Sequence, residues 1–292
     1  MSATNSLQKA AAEAQAAMAL RVLNEQGGVF TFFDNFLNGL LARLQASEAV
    51  HGWNGKLQAA PKSYAGQVAT ELQWLARFLE TRKNGRLVPY NIRRAEDLTG
   101  RASEVDDLAL LMSQGTTACL SWKGSPLFKT VFDFAILPML LWELKPGSVF
   151  EIGSGTGASA RWIADTLAAF GSNAQVYSVD IEPVGETYPN VRFFAGDCKA
   201  PDSLFDAELL RSAPHPFLVI EDAHANVDGV LAHVDGFLAK GDYLYVEDSR
   251  IKADELSRFC KPRAERYRVD IHYTDFFGRN ATGAANSIFV RV

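Results

Sequence analysis

Val149-Phe-Glu-Ile-Gly-Ser-Gly-Thr-Gly-Ala-Ser159, in the middle of the chain, decides how the rest is read. A short apolar run carries an acid, Glu151, and leads into glycines at alternate positions, Gly153, Gly155 and Gly157, with Ser154 between the first two. Glycine suits a chain that turns sharply out of a strand and lets its backbone approach a ligand closely. The following residues, 158–170, have helical spacing, which would point the first N–H groups of a helix at that ligand. A second apolar run, Val176 to Val179, ends in Asp180-Ile181, where an acid can receive ribose hydroxyls. A third, Phe193-Phe-Ala-Gly, ends in Asp197. The pattern describes a nucleotide-type cofactor site.

Two cofactors compete for it. Gly153-x-Gly155-x-x-Ala158 fits a dinucleotide fingerprint, and Asp180 follows at roughly the ~20-residue spacing of an NAD ribose contact. S-adenosylmethionine (SAM) is favoured because Glu151 stands where a carboxylate can order the methionine ammonium. Asp197 adds an acid where the adenine amine can be held. A plain structural turn is the remaining alternative for the glycines.

Working outward, strands and helices alternate: strands over 148–152, 176–181, 191–195, 217–221 and 243–247, helices over 128–144, 158–170, 202–212 and 227–239. That alternation specifies an α/β fold, a mostly parallel Rossmann-like sheet with helices on both faces. Ligands of such sheets lie beyond the C-terminal strand ends. Seven acids collect there: Glu151, Asp180, Asp197, Glu221, Asp222, Glu247 and Asp248. SAM alone does not require so many. Asp222, Glu247 and Asp248, with Glu221 as a further SAM contact or ligand, are candidates for holding Mg²⁺, which prefers oxygen donors. Such an ion would lower the pKa of an acceptor hydroxyl. The alternative is that the acids cap helices or pair with Lys129, Arg250 and Lys252. His224 is a candidate general base, since imidazole titrates near neutrality; a helix-capping role is its alternative. Lys129 is a candidate for orienting an anionic acceptor or pairing with a site acid. Tyr273, Phe276 and Phe277 are read either as walls of the acceptor pocket or as C-terminal packing.

Residues 5–80 have helical spacing broken by Gly27-Gly28 and by the 52–61 stretch, and 104–112 offers another short helix. Residues 1–120 are therefore expected to form a helical cap that contributes to a homo-oligomer, a dimer or higher, and 121–292 the catalytic domain. The chain has 292 residues, 48% of them hydrophobic, and a net charge of −5, which argues against a nucleic-acid partner. The three cysteines, Cys119, Cys198 and Cys260, are odd in number and far apart, so they indicate neither a disulfide framework nor a zinc cluster. The opening residues lack a basic-then-apolar leader pattern, and no apolar run reaches the ~20 residues of a membrane span. A cytoplasmic enzyme with a small-molecule substrate is expected.

The segment Trp122-Lys-Gly-Ser-Pro-Leu-Phe-Lys129-Thr-Val-Phe-Asp133, the turn Leu144-Lys-Pro146 and the Glu151 motif are followed in order by Val179-Asp-Ile181, Ile220-Glu-Asp222 and Gly241 to Asp248. The tail from Phe277 to Asn286 completes the set. Residues 120–292 thus resemble the cephalosporin-hydroxylase / rhamnosyl O-methyltransferase family of SAM-dependent class I enzymes. The resemblance implies a Rossmann-like fold and methyl transfer to oxygen in the modification of antibiotics, sugars or other specialised metabolites. It also implies, in some members, Mg²⁺ held by carboxylates. The family's Glu-Asp pair is kept at Glu247-Asp248. Its Asp-Ser-Asp-His segment is Glu221-Asp222-Ala-His224 here, without the acid before the histidine, which leaves the third metal ligand open. Two other uses of the same site remain. One is cyclisation of SAM to azetidine-2-carboxylate and methylthioadenosine; the other is a non-catalytic SAM-binding subunit.

Overall fold

Eight strands form the central sheet of a computed structural model that describes residues 85–96 and 103–292. In chain order they are β1 (Leu87–Pro89), β4 (Ser148–Ile152), β5 (Gln175–Asp180), β6 (Val191–Ala195), β7 (Phe217–Glu221), β8 (Tyr243–Val246), β9 (Tyr267–Asp270) and β10 (Ile288–Arg291); the two-residue strands β2 (Ser121–Trp122) and β3 (Ser125–Pro126) form a separate hairpin. Across the sheet the order is β1-β9-β10-β8-β7-β4-β5-β6. The run β6-β5-β4-β7-β8 is parallel, and β10, β9 and β1 add antiparallel pairings. From β4 the chain winds outward through β5 and β6, then returns to the other side of β4 for β7 and β8. That reversal opens a crevice between β4 and β7, the place where ligands of such sheets bind.

The alternation of side chains along each strand sorts the core into two layers. Val149, Val176, Leu218, Ile220, Tyr243 and Tyr245 face α3 (Val131–Leu144) and α4 (Ala158–Ala169). Phe150, Phe217, Val219, Leu244 and Val246 face the other way, toward α6 (Val227–Asp235) and α7 (Ala253–Cys260). The same parity fixes where the acids go. Glu151 and Glu247 share the face of Val149 and Tyr245, whereas Glu221 shares the face of Phe217 and Val219.

Helix starts and stops depart from the sequence reading for identifiable reasons. The first helix of the sheet domain begins at Val131, not Phe128, because the Thr130 side chain caps it by accepting the Asp133 N–H at 3.1 Å. This leaves Phe128 and Lys129 outside the helix, with the Lys129 N–H donating to the Leu127 carbonyl at 3.1 Å. The stretch 202–212 breaks into a 3₁₀ turn at Pro201–Ser203 and helix α5 (Ala207–Ser212), capped by Asp206. Helix α6 stops at Asp235, before Gly236.

Residues 86–120 differ more. Arg86–Val292 is one compact unit, so the sheet domain begins well before residue 121. Leu87–Pro89 is an edge strand paired with β9, followed by helix α1 (Tyr90–Glu96); a shorter helix, α2 (Asp107–Met112), comes before the hairpin. A three-residue strand cannot display a period of two, and its position is set by a neighbour distant in sequence. Arg86 donates to both oxygens of the buried Asp270, at 2.7–2.9 Å. Arg93 likewise grips Asp275 at 2.8 and 2.9 Å and Asn286 at 2.8 Å. The rest of the expected cap, residues 1–84 and 97–102, lies outside the described residues.

Candidate active site

A cavity of about 460 Å³ opens at the β4–β7 crevice. Gly153, Ser154 and Gly155 form its floor, Asp180, Ile181 and Asp197 one side, and Lys129, Asp222, His224 and Asp248 the other. Sequence reasoning singled out all of these. Gly153 has φ +102°, and a Cβ there would lie 2.8 Å from the backbone of Asp222 and Ala223. Only glycine lets the β4 and β7 ends approach this closely.

The ribose candidate, Asp180, accepts the Gly155 N–H at 2.9 Å and so braces the glycine turn from the next strand. Asp197 accepts the Lys199 N–H at 2.9 Å on the rim. Glu151 is fully buried. Its Oε2 accepts from Ser178 Oγ, which in turn lies 2.6 Å from Ser154 Oγ, while Oε1 makes no hydrogen bond. Burial pushes the Glu151 carboxyl up, and the opposing pull of Lys129 and Ser178 does not cancel it. A buried carboxylate oxygen without a partner, two residues before the glycine turn, is costly.

The remaining acids divide in two. Glu221 and Glu247 are occupied by buried lysines: Lys252 Nζ donates to Glu221 Oε2 at 2.8 Å, and Lys129 Nζ to Glu247 Oε1 at 2.6 Å and Asp222 Oδ2 at 3.0 Å. The pairing alternative raised from sequence therefore describes both glutamates, on the faces that strand parity assigns them. Burial alone would lower the Lys129 value, but Asp222, Glu247 and Glu151 outweigh it and hold the ammonium charged. Asp222, His224 and Asp248 are the second group, each offering a ligand atom within 4.8 Å of the others. Glu247 is not among them. His224 Nδ1 lies 2.7 Å from the Asp222 carbonyl oxygen and Nε2 lies 2.9 Å from Asp248 Oδ2. The hydrogen bond to Asp248 raises the imidazole above its ordinary value, against the effect of burial.

Several cavity residues were not singled out from sequence. Gln114, Thr156, Ser159, Cys198 and Lys199 also line the cavity. Thr156 and Ser159 sit in or beside the glycine motif, which was the available signal; Gln114 has none, since only the fold brings it to the crevice. Burial pushes the Cys198 thiol up to about 11, which makes it a poor nucleophile. The aromatic wall expected from Tyr273, Phe276 and Phe277 is not part of the cavity lining. Tyr273 is buried with its hydroxyl donating to Glu143 at 2.7 Å, and Phe277 packs against Phe132 and Phe276.

The family described as "Rhamnosyl O-methyltransferase/CmcI" matches residues 114–267. A rhamnosyl O-methyltransferase of Mycobacterium leprae (strain TN) is 31% identical over 140 residues, 45% of this chain and 61% of that protein. One from Mycobacterium tuberculosis (strain ATCC 25618 / H37Rv) is 29% identical over 140 residues, 45% of this chain and 57% of its own length. The chain therefore spans about three-fifths of the curated relatives it matches. Among solved structures, CmcI in an apo form is 25% identical with a TM-score of 0.52, covering 60% of this chain and 77% of that one. CmcI with Mg and SAM is 26% identical with a TM-score of 0.52, covering 59% and 76%. The family model spans more than half of the chain, which belongs to the Rhamnosyl O-methyltransferase/CmcI family.

Proposed function

We propose that the chain transfers a methyl group from SAM to a hydroxyl oxygen of a small specialised metabolite. The observation that carries this reading is the cavity lined by Gly153, Ser154, Gly155, Asp180, Ile181 and Asp197, with the buried Glu151 two residues before its first glycine. Bound SAM supplies a methyl group activated by a positively charged sulfur. The protein's part is positioning the two reactants and removing the acceptor's proton. Glu151 receives the aminoacyl ammonium, Asp180 the ribose hydroxyls and Asp197 the adenine side. Gly153, Ser154, Gly155 and Gly157 shape the turn, and Ile181 covers the adenosine beside Asp180. Across the crevice, Asp222, His224 and Asp248 stand where the acceptor hydroxyl enters. They can accept its proton or hold a divalent cation such as Mg²⁺, which would lower the hydroxyl pKa. Lys129 holds Asp222 in place, while Lys252 keeps Glu221 out of the cavity as a supporting group.

Among the described residues no helix is long and apolar enough to cross a membrane. We infer a cytoplasmic location and a small-molecule acceptor, and the net charge of −5 fits a protein without a nucleic-acid partner. A homo-oligomer completes the proposal.

Incubation with SAM, alone and with a panel of hydroxylated sugars, macrolides and phenols, tests it. S-adenosylhomocysteine formed only with an acceptor supports methyl transfer. Methylthioadenosine formed from SAM alone would replace it with cyclisation. Absence of both products, with SAM bound, would leave a binding subunit.

A further inference from the structure

We propose that Ser178 is a positioning residue for the cofactor: it carries the charge of Glu151 to Ser154, whose Oγ is the atom that takes the ammonium of SAM. The inference rests on the SAM reading above and concerns which end of the aminoacyl group meets which side chain.

Glu151 and Ser178 stand opposite one another in the parallel register of β4 and β5. Both are fully buried, and neither lines the cavity. Ser154, just past the Gly153 turn, does line it, and its Oγ lies 2.6 Å from Ser178 Oγ. Ser178 Oγ also donates to Glu151 Oε2, whereas Oε1 has no hydrogen-bond partner. The hydrogen-bonded route from this carboxyl to the cavity therefore runs through two serine hydroxyls. Ser159, whose buried hydroxyl has no hydrogen-bond partner, also lines the cavity but stands outside this chain.

The anion at one end fixes the direction of the protons. A carboxylate only accepts, while a serine hydroxyl has one proton to give and lone pairs to accept with. Ser178 gives its proton to Glu151, so it can only accept from Ser154. Ser154 has then committed its proton to Ser178 and meets the cavity with lone pairs alone. Such an oxygen suits a charged N–H donor and offers nothing to a carboxylate. Of the two charged ends of the aminoacyl group it selects the ammonium. Hydrogen bonds in series polarise one another in a site of low dielectric, so the Glu151 charge strengthens the acceptor at Ser154.

Calorimetry on the full chain would compare S-adenosylhomocysteine with its analogue carrying hydrogen in place of the α-amino group. The two share adenosine and carboxylate, so the ratio of their affinities reads the ammonium contact alone. The unaltered protein is expected to bind S-adenosylhomocysteine about tenfold or more tighter. Ser154→Ala and Ser178→Ala should each reduce that ratio below about threefold, and the double variant should lose no more than either, because the two act in series. A general loosening of the cavity would weaken both ligands together and leave the ratio standing. Ser178→Cys, nearly isosteric with a weak S–H donor, gives the same reading if Ser178→Ala does not fold. A ratio retained without the Ser178 hydroxyl, or lost in Ser159→Ala instead, would overturn the proposal. Equal binding of both ligands by the unaltered protein would overturn it and leave the SAM site standing. Binding of neither would overturn the SAM reading with it.

Discussion

Lys129 and Glu247, 118 residues apart in sequence, form a buried ion pair at 2.6 Å, and the same ammonium reaches Asp222 at the cavity wall. The pair joins the segment before α3 to the residue after β8 at the cavity wall.

Lys129→Met leaves Glu247 buried without a cation, which costs about 3–5 kcal/mol. Urea unfolding should show that loss, and adding Glu247→Gln to the same chain should restore part of it. An unchanged midpoint in Lys129→Met would mean that the pair contributes nothing to stability.

Asp180→Ala removes the brace on the Gly155 N–H and the acceptors for ribose hydroxyls. Hydrogen bonds to a charged group contribute about 1.5–3 kcal/mol each, so SAM affinity should fall at least about tenfold. Calorimetry on the folded variant checks this, and NAD(H) binding in place of SAM would reverse the cofactor assignment.

Glu151→Gln should trade affinity for stability. Burial holds the Glu151 carboxyl above its ordinary value. A carboxyl raised on folding takes up a proton as the chain folds, so its ionisation lowers stability as pH climbs from the unfolded value of about 4.3 through the folded one. The variant should therefore be more stable than the parent at pH 8, and the difference should vanish near pH 4. SAM binding should weaken about tenfold or more at pH 8, because a charge-assisted bond to the ammonium is lost. Thermal scans at both pH values and one SAM titration suffice; equal stability at pH 8 would contradict the buried, orphaned carboxylate.

A fragment beginning at residue 121 should not fold as a domain. It lacks β1 and strips Asp270 and Asp275 of Arg86 and Arg93. Asp270 is fully buried, and an unpaired buried carboxylate costs several kcal/mol. Compared with a fragment beginning at residue 86, the shorter one should aggregate or unfold without a cooperative transition. A cooperative transition at the same temperature in both would show that β1 and the two arginines are dispensable.

The sequence by itself determined the five parallel strands β4 to β8 and the glycine turn after β4. Apolar runs of four to six residues ending in Glu151, Asp180 and Asp197 are local signals, and Gly153, Gly155 and Gly157 answer to backbone geometry within a single turn. Those features depend on neighbours a few residues away, so one chain read in order displays them. The helix after Lys129 was displaced by three residues because a side-chain cap at Thr130 competes with the apolar periodicity that suggested an earlier start.

What the tertiary structure decided is which acids are spent and which are free. Glu221-Asp222 and Glu247-Asp248 look alike in sequence, but alternation sends Glu221 to the α7 face and Glu247 to the α3 face. There each meets a lysine, Lys252 or Lys129, that no spacing rule ties to it. The residues left facing the crevice, Asp222, His224 and Asp248, are the remainder of that pairing. The edge strand at Leu87–Pro89 was equally unreadable, because its place is fixed by Asp270, 184 residues beyond Arg86. Contacts at such separations are set by burial and charge pairing across the folded sheet, which a linear pattern does not carry.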